Sequence, residues 1–320
     1  MVKAKRLLII DSNSVIHRAF HALPPLTTKK GKLVNAVYGF LLVFFKAIKE
    51  FHPDYVVTCF DFPAPTFRHK EFKEYKAKRP PVPKELYQQI KEVKKVLKTF
   101  NVPIFEKEGF EADDIIGTIS KLSQKKQIFP EIENIILSGD LDTLQLINKN
   151  TKIYLLKRGV KNTVLYDKME VKRLYQGLSP EQLIDYKALK GDPSDNIPGI
   201  PGIGEKTAIY LIQRFKNLDN LYKEIEKKSE AAKEIKDKLR ETLIQHKDQA
   251  FFNRMLATVK RDVPINFIFK KSHWGAYDKE KVTQVLKEFD FYSLIKRLPE
   301  LENKNKRNEK EINSKNLRLW

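Results

Sequence analysis

The chain has 320 residues, of which 41% are hydrophobic and 11% aromatic, so it can bury a sizeable core in one large domain or two smaller ones. Its formal net charge of +20 favours a polyanionic partner, either nucleic acid or an anionic membrane surface, although thermophiles and AT-rich genomes also accumulate lysine. The single cysteine, Cys59, excludes a disulfide framework, and the longest apolar run, FLLVFF, is too short to cross a bilayer, so we expect a cytoplasmic protein.

Three short apolar runs have the pattern of buried β-strands, and each ends at an aspartate. They are RLLIID (6–11), YVVTCFD (55–61) and NIILSGD (134–140). Between them, apolar residues recur at helical spacing over 37–48, 86–97 and 115–122. Strands that alternate with helices predict an α/β fold with a mostly parallel central sheet and flanking helices, whose functional crevice lies at the carboxyl ends of the strands.

After about residue 170 the strand pattern fades and helical patterns dominate. Ser179, Pro180 and Gln182 form the signature of a helix start, and further helical stretches are expected over about 205–216, 218–247 and 279–296. The end of the chain is too polar to bury a core. We therefore predict an α/β domain over 1–172, a helical domain over 173–298 and a polar flexible tail over 299–320.

Acidic residues are concentrated where the predicted strands end and where one helix begins. They are Asp11, Asp61, Glu111, Asp113, Asp114, Asp140 and Asp142. Taken separately, such residues are explained by helix capping and by turns. Taken together on one rim of a parallel sheet, they repel one another unless cations bind. Hard oxygen ligands without paired histidines indicate Mg²⁺ or Mn²⁺ and not Zn²⁺, and two such ions can support hydrolysis of a phosphodiester.

The stretch LKGDPSDNIPGIPGIGEKTA (189–208) nearly matches the phosphate-binding loop of nucleotide hydrolases, but Glu205 breaks the required spacing. We interpret it as a helix-hairpin-helix motif, at about 185–215, in which glycine N–H groups approach a DNA phosphate and Lys206 adds charge. Asp192 and Asp195 face the same way if a helical turn forms between them, and they are then candidates for a second metal site. An Asx-rich turn is the alternative.

Together these segments resemble the 5′-3′ exonuclease domain of bacterial DNA polymerase I, in the flap endonuclease superfamily. The resemblance runs in order over about residues 5–270, through LLIIDSNSVIHRAFHAL, AVYGF, FDFPAPTFRHKEFKEYKAKRPP, GFEADDIIGT, SGDLDTLQL and KGDPSDNIPGIPGIGEKTA. It implies a PIN-like fold and an active enzyme, because every position of the family's acidic cluster is filled. The metal ligands that it implies are Asp11, Asp61, Glu111, Asp113, Asp114, Asp140, Asp142, Asp192 and Asp195.

The resemblance also gives a role to the cationic and aromatic segment that follows Asp61. This segment is similar to the family's helical arch, here about 66–100, through which a 5′ single strand passes; without the resemblance it is a solvated charged face. The catalytic cations implied are Lys76, Arg79 and Arg18. The implied DNA contacts, with Tyr75 stacking on a base, are Arg68, Lys70, Tyr75, Lys78, Gly199, Gly202, Gly204, Lys206 and Thr207. His17 departs from the family, which often has tyrosine there.

We therefore expect a metal-dependent, structure-specific 5′ nuclease that hydrolyses DNA or RNA primers at 5′ ends and flaps beside a duplex. Two or more Mg²⁺ ions are its expected cofactors, with Mn²⁺ as a substitute, and the resemblance adds K⁺ at the hairpin. With no polymerase or proofreading segment in the sequence, we expect a free-standing or excised nuclease that works with a separate DNA polymerase. The alternatives are a non-catalytic DNA-junction binding protein and an RNA-cleaving nuclease of the related small α/β class, which lacks the hairpin.

Overall fold

The computed structural model describes residues 4–124 and 132–299, so nearly all of the predicted tail lies outside the described residues. The strands are β1 (Lys5–Asp11), β2 (Tyr55–Cys59), β3 (Ile104–Phe105), β4 (Ile132–Ser138), β5 (Thr151–Arg158) and β6 (Asn162–Tyr166). The helices of the first half are α1 (Ser12–Ala22), α2 (Asn35–Phe51), α3 (Phe67–Glu71), α4 (Lys84–Thr99), α5 (Ala112–Leu122) and α6 (Lys168–Leu174).

The second half is helical, as the sequence predicts. Its helices are α7 (Leu183–Lys190), α8 (Glu205–Phe215), α9 (Leu218–Glu226), α10 (Glu230–Lys233), α11 (Asp237–Gln245), α12 (Lys247–Ala257), α13 (Lys279–Glu288) and α14 (Tyr292–Ile295). Short 3₁₀ helices cover Leu141–Leu146, Pro180–Gln182 and Phe269–Ser272. The stretch predicted as helical over 218–247 is divided into three helices, with Lys228 at positive φ of 51° and Ser229 capping α10.

The six strands form one sheet in the order β3-β2-β1-β4-β5-β6. Every neighbouring pair is parallel except β5 and β6, which are antiparallel, so the predicted mostly parallel sheet is confirmed. Ile10 of β1 lies beside Thr58 of β2 and Leu137 of β4. The carboxyl ends of these three strands therefore lie next to one another, which is the arrangement that the three aspartate-terminated runs predict.

Both faces of the sheet are covered, which explains why its strands are continuously apolar. Leu7 and Ile9 of β1 belong to a core shared with α5 and with the second-half helices α7, α8 and α9. Leu8 and Ile10 point to the other core, built with α1, α2, α4 and α13. Because both cores draw on both halves of the chain, the second-half helices are fixed against the sheet.

The predicted arch segment, about 66–100, is divided between two environments. Its second part, α4, packs against α2, and its side chains Leu86, Val93 and Leu97 are buried. Its first part contains the short helix α3 and a run of turns over 72–79, which we call the bridging segment. The structure therefore leaves only this first part beside the rim of the sheet. Among the described helices, none is both long enough and apolar enough to cross a membrane.

Candidate active site

The strand-end aspartates are held at one rim of the sheet by backbone and hydroxyl groups. Asp11, the last residue of β1, accepts hydrogen bonds from the Ser14 backbone N–H at 3.2 Å and from the Ser138 hydroxyl at the end of β4 at 2.6 Å. Asp61 accepts one at 2.8 Å from the backbone N–H of Ala112, the first residue of α5. Asp140 caps the following 3₁₀ helix. These contacts connect β1, β2, β4 and the start of α5.

Four carboxylates at this rim form no ion pair with a lysine or arginine in the part of the chain that the structure describes. Among residues 4–124 and 132–299, no lysine or arginine forms an ion pair with Asp11, Asp61, Asp113 or Asp140, and we call these four the open carboxylates. Burial raises the pKa of Asp11 to about 6, and the negative charge of Asp61 adds to the effect. Desolvation likewise raises the pKa of Asp113 well above its ordinary value, with Asp11 and Asp140 as like charges. The open carboxylates thus lie close enough to repel one another.

The other five predicted ligands each contact a cation. Glu111 pairs with Lys76 at 2.6 Å, and Asp195 pairs with Arg79 at 2.6 Å. Asp142 and Asp192 share Lys187, and Asp114 pairs with Arg68. We call these five the paired carboxylates. The nine acidic residues are therefore assembled around one rim, but they are electrostatically of two kinds.

Tyr75 connects two of the paired carboxylates. Its hydroxyl is 2.9 Å from Asp195 and 3.1 Å from Glu111, and its side chain is buried. Burial, together with these two carboxylates, raises the pKa of Tyr75, so the hydroxyl stays protonated as a donor. The expectation that Tyr75 stacks on a base does not agree with this position, because its ring is enclosed by protein. The sequence pattern was ambiguous, since an aromatic residue among cations is typical both of a ring that stacks on a base and of a ring that is buried in the protein.

The bridging segment links the two halves of the chain at the site. The backbone N–H of Lys76, at positive φ of 56°, donates to the Asp195 carbonyl at 3.0 Å, and the Asn196 amide donates to the Glu74 carbonyl at 2.8 Å. Lys76 and Arg79 lie at the rim, where they pair with Glu111 and Asp195; their contact with a scissile phosphate stays a prediction. The predicted contacts Lys70, on α3, and Lys78, on the bridging segment, are both exposed.

Arg68 and Asp114 form a buried ion pair that differs from both of their predicted roles. Asp114 is fully buried, and its two oxygens lie 2.8 and 2.9 Å from the Arg68 guanidinium nitrogens. The backbone N–H groups of Lys260 and Glu111 donate to the same carboxylate. Arg68 also donates to the Leu256 carbonyl. With these partners, Asp114 has no accessible oxygen for a metal and Arg68 does not face a DNA strand, so both expectations are corrected here.

Lys187 is a site residue that the sequence analysis did not identify. It lies on α7, and its ammonium donates to Asp142 and, at 2.7 Å, to Asp192. Although burial opposes it, the charge of these two carboxylates raises the pKa of Lys187 above its ordinary value. The available signal was its position five residues before Asp192, but one lysine among 61 basic residues does not stand out.

The GDPSDN stretch forms a closed turn and not a helical turn. Asp192 and Ile197 exchange backbone hydrogen bonds of 2.9 Å, and one Asp192 oxygen accepts from the Ser194 N–H at 3.0 Å and from its hydroxyl at 2.6 Å. This is the Asx-type alternative. Asp192 and Asp195 nevertheless both reach the rim, since they contact Lys187 and Tyr75.

The glycines of the following hairpin have different physical roles. Gly199 passes so close to the Lys190 carbonyl that a Cβ atom would overlap it, and Gly202 has a φ of +75°. Gly204 precedes α8 and has open space around it, and Lys206 is exposed in the first turn of that helix. Exposed N–H groups at the start of an 11-residue helix suit a phosphate. Thr207 is half-buried in the same turn.

Arg18 lies beside the rim and organises backbone there. Its guanidinium donates to the Gly139 carbonyl at 2.7 Å and the Lys157 carbonyl at 3.1 Å. It lines an open cavity of about 410 Å³ together with His17, His21 and Asp140. Arg18 lies near Asp140, and a catalytic role for it stays a prediction.

No three His, Cys, Asp or Glu side chains in the described part of the chain form a ready-made metal cage. The donor chemistry nevertheless fits a hard divalent ion, since the open carboxylates offer oxygen ligands that form no ion pair with the described lysines and arginines. Asp11 is the buried member of this group, and Asp61 is exposed to an entering ligand. Burial is the main cause of the raised Asp11 pKa and the charge of Asp61 adds to it; a bound divalent ion offsets both effects.

Two family models match the chain. The one described as "5′-3′ exonuclease, N-terminal resolvase-like domain" matches residues 6–176, and "5′-3′ exonuclease, C-terminal SAM fold" matches residues 178–280. The chain is 35% identical over 298 residues to the 5′-3′ exonuclease of Aquifex aeolicus (strain VF5), covering 93% of this chain and 96% of that one. It is 39% identical over 300 residues to DNA polymerase I of Bacillus subtilis (strain 168), covering 94% of this chain but 33% of the polymerase. The chain thus spans about a third of its curated polymerase relatives.

Solved structures with the same fold are also found. The T5 D15 protein co-crystallised with metal ions superposes with a TM-score of 0.63 at 21% identity, over 79% of this chain and 89% of that one. The catalytic core of Rad2 in complex with a DNA substrate gives a TM-score of 0.55 at 22% identity, over 92% of both chains. At this level of identity, the likeness concerns the fold.

Proposed function

This chain belongs to the 5′-3′ exonuclease family, and from that premise we propose that it is a divalent-metal-dependent nuclease that cuts DNA, or RNA primers, at 5′ ends and flaps beside a duplex. The observation that carries the proposal is the group of open carboxylates at the sheet rim, together with the cations Lys76 and Arg79, which pair there with Glu111 and Asp195. The Aquifex aeolicus relative, of nearly the same length, is named a 5′-3′ exonuclease. The T5 D15 and Rad2 structures contain metal ions and DNA, respectively, which also supports the proposal.

In this proposal, Asp11, Asp61, Asp113 and Asp140 hold Mg²⁺, for which Mn²⁺ can substitute. When bound, such ions supply positive charge that acidifies a water and stabilises a leaving oxygen. Among the paired carboxylates, Asp142, Asp192 and Asp195 are the candidates for further ions. To bind an ion, Asp142 and Asp192 give up their contact with Lys187, and Asp195 gives up its contact with Arg79.

Lys76 and Arg79 are the groups proposed to orient the phosphate. Each lies in an ion pair with Glu111 or Asp195, and a phosphate offers the same kind of acceptor. A phosphodiester at the rim therefore substitutes for the carboxylate partners without leaving the cations desolvated and unpaired. The start of α8, with Lys206 in its first turn, is proposed to hold the duplex backbone away from the cut.

The test is incubation of the protein with a 5′-labelled flap duplex, with and without Mg²⁺, and sizing of the products. We expect cleavage near the junction only when the metal is added, with little cleavage by Asp113→Asn. The matched control is Asp237→Asn, which removes an exposed aspartate on α11 and should cleave normally. Duplex binding is followed in parallel by fluorescence anisotropy. Tight binding without cleavage in Mg²⁺ or Mn²⁺ would instead support the non-catalytic junction-binding alternative.

The same assay separates the finer parts of the proposal. An RNA–DNA hybrid flap of identical sequence measures the preference for RNA primers. Duplex binding in KCl against NaCl tests the proposed K⁺ at the hairpin. A separate DNA polymerase is a further proposed partner, supported by relatives in which a similar segment forms about a third of a DNA polymerase I. Localisation of a tagged protein tests the proposed cytoplasmic setting.

A further inference from the structure

The Lys187 ammonium lies between two carboxylates that come from different parts of the chain. Asp142 belongs to the 3₁₀ helix after β4, and Asp192 begins the closed turn after α7. Lys187 contacts both of them, and its side chain is 15% exposed. One ammonium therefore joins the sheet rim to the helical half of the protein.

The partners of Asp192 fix where its charge points. Ser194 donates to one Asp192 oxygen from its N–H and its hydroxyl, while the other oxygen faces Lys187 at 2.7 Å. The Ser194 bonds hold the carboxylate, so its free oxygen is directed at the ammonium. An incoming divalent ion between Asp142 and Asp192 meets this cation at short range, where like charges repel strongly.

The open carboxylates provide the contrast within the same rim. In the described part of the chain, Asp11, Asp61, Asp113 and Asp140 lack an ion-pair partner, whereas Asp142 and Asp192 already have one. A divalent ion at the open carboxylates relieves repulsion and displaces no ion-pair partner within the described residues. One between Asp142 and Asp192 has to displace the ammonium or to bind beside it.

We propose that Lys187 is a built-in counter-ion that ranks the metal positions, so that divalent ions bind tightly at the open carboxylates and weakly between Asp142 and Asp192. Lys187 is then a positioning residue, since it acts through the two carboxylates and not on the substrate. The weak position fills at higher ion concentration or when substrate draws Lys187 away. This inference rests on the proposed function, because it presumes divalent ions at the rim.

The test measures Mn²⁺ binding to the full chain without DNA, by electron paramagnetic resonance of the free ion. Lys187→Met removes the counter-ion and keeps much of the side-chain volume. We expect its weaker class of Mn²⁺ sites to gain at least about tenfold in affinity, with the tight class changed less than threefold. Lys187→Arg retains the charge and should bind as the wild type does.

The matched control is Lys190→Met, one turn further along α7. The Lys190 ammonium lies 5.2 Å from the centre of the Tyr186 ring, and the side chain is exposed. This substitution removes the same charge from the same helix, so it isolates the contribution of long-range electrostatics. We expect a wild-type isotherm. If Lys187→Met is not folded by circular dichroism, Lys187→Gln replaces it, with the same expectation.

The outcomes separate the two proposals. If the wild type binds Mn²⁺ and the neutral Lys187 variant gives an unchanged or weaker second class, the counter-ion inference is overturned while the proposed function stands. An equal gain in Lys190→Met also overturns it, because the effect is then not local. If the wild type binds no Mn²⁺, the proposed metal-dependent function fails first.

Discussion

Replacing Asp113 or Asp114 with asparagine removes the same charge from adjacent positions in the first turn of α5, but the two results should differ sharply. Asp114 is fully buried and holds Arg68, whose side chain is 3% exposed. Asp113 is an open carboxylate that desolvation and like charges keep from ionising easily. The pair therefore distinguishes a structural carboxylate from a ligand-binding one.

The expected changes in stability and in Mn²⁺ affinity follow from these two environments. Asp114→Asn breaks the buried ion pair and leaves the Arg68 guanidinium with the longer, 3.3 Å contact to Glu111 as its remaining counter-charge. Breaking a buried pair typically costs about 3–5 kcal/mol. In a domain of this size, that should lower the unfolding midpoint by roughly 6–20 °C. Asp113→Asn removes repulsion among the open carboxylates, so the metal-free protein should be as stable as the wild type or more stable. Its Mn²⁺ affinity should fall at least about tenfold, as expected when a charged ligand is lost.

The assay combines thermal unfolding by circular dichroism, without metal, with Mn²⁺ titration of both variants at a temperature where each is folded. Asp114→Asn should melt early yet bind Mn²⁺ like the wild type. The reasoning is refuted if Asp113→Asn is destabilised as much as Asp114→Asn. It is equally refuted if Asp114→Asn keeps its melting temperature and loses Mn²⁺ binding.

Three further predictions concern protonation, a hydroxyl and a glycine. Because the pKa of Asp11 is raised to about 6, a bound proton competes with metal, so Mn²⁺ affinity should rise from pH 5 to 7; a flat profile over this range contradicts the prediction. The same shift means that Asp11 destabilises the metal-free fold as pH rises through about 6. Tyr75→Phe removes the hydroxyl that donates to the carboxylates, so it should lower the free energy of unfolding by about 1.5–3 kcal/mol, measured by thermal unfolding. If Tyr75 only stacked on a base, stability would be unchanged. Gly199→Ala should lower the free energy of unfolding by about 1–3 kcal/mol or more. Gly204→Ala is the control and should show no comparable loss, because its Cβ meets no atom within 4 Å. Equal melting curves for the two variants would contradict this prediction.

Features that depend on residues near one another in the chain, such as strand ends and helix caps, could be predicted from the sequence. Aspartates that end apolar runs lie at one rim whenever the runs are neighbouring parallel strands, and β1, β2 and β4 are neighbours. The capping box at Ser179 was predictable for the same reason, and Gln182 accepts from the Ser179 N–H at 2.9 Å. β3 has two residues, and β6 is an edge strand with mixed burial, so neither produces a clear pattern.

The counter-ions were not predictable, because they depend on how distant elements pack. Lys187 meets Asp142 across 45 positions, and Arg68 meets Asp114 across 46. In a chain with 61 basic residues, no spacing rule selects those two. The acidic residues at strand ends can therefore be predicted from the sequence, while the pairing of each cation with its carboxylate becomes visible only in three dimensions.

This division of charge has a consequence for how the site meets a polyanion. Nine carboxylates at the rim face four paired cations, Arg68, Lys76, Arg79 and Lys187, so full ionisation leaves a negative excess inside a chain whose net charge is +20. The surrounding surface attracts a phosphate backbone, but the rim repels it. Any divalent ion that binds at the open carboxylates removes part of this repulsion, and it therefore favours a phosphate beside Lys76 and Arg79. By thermodynamic reciprocity, the phosphate favours the ion by the same factor. Metal and nucleic acid therefore each increase the affinity of the rim for the other. Lys187 limits this effect for a second ion, because it weakens ion binding between Asp142 and Asp192.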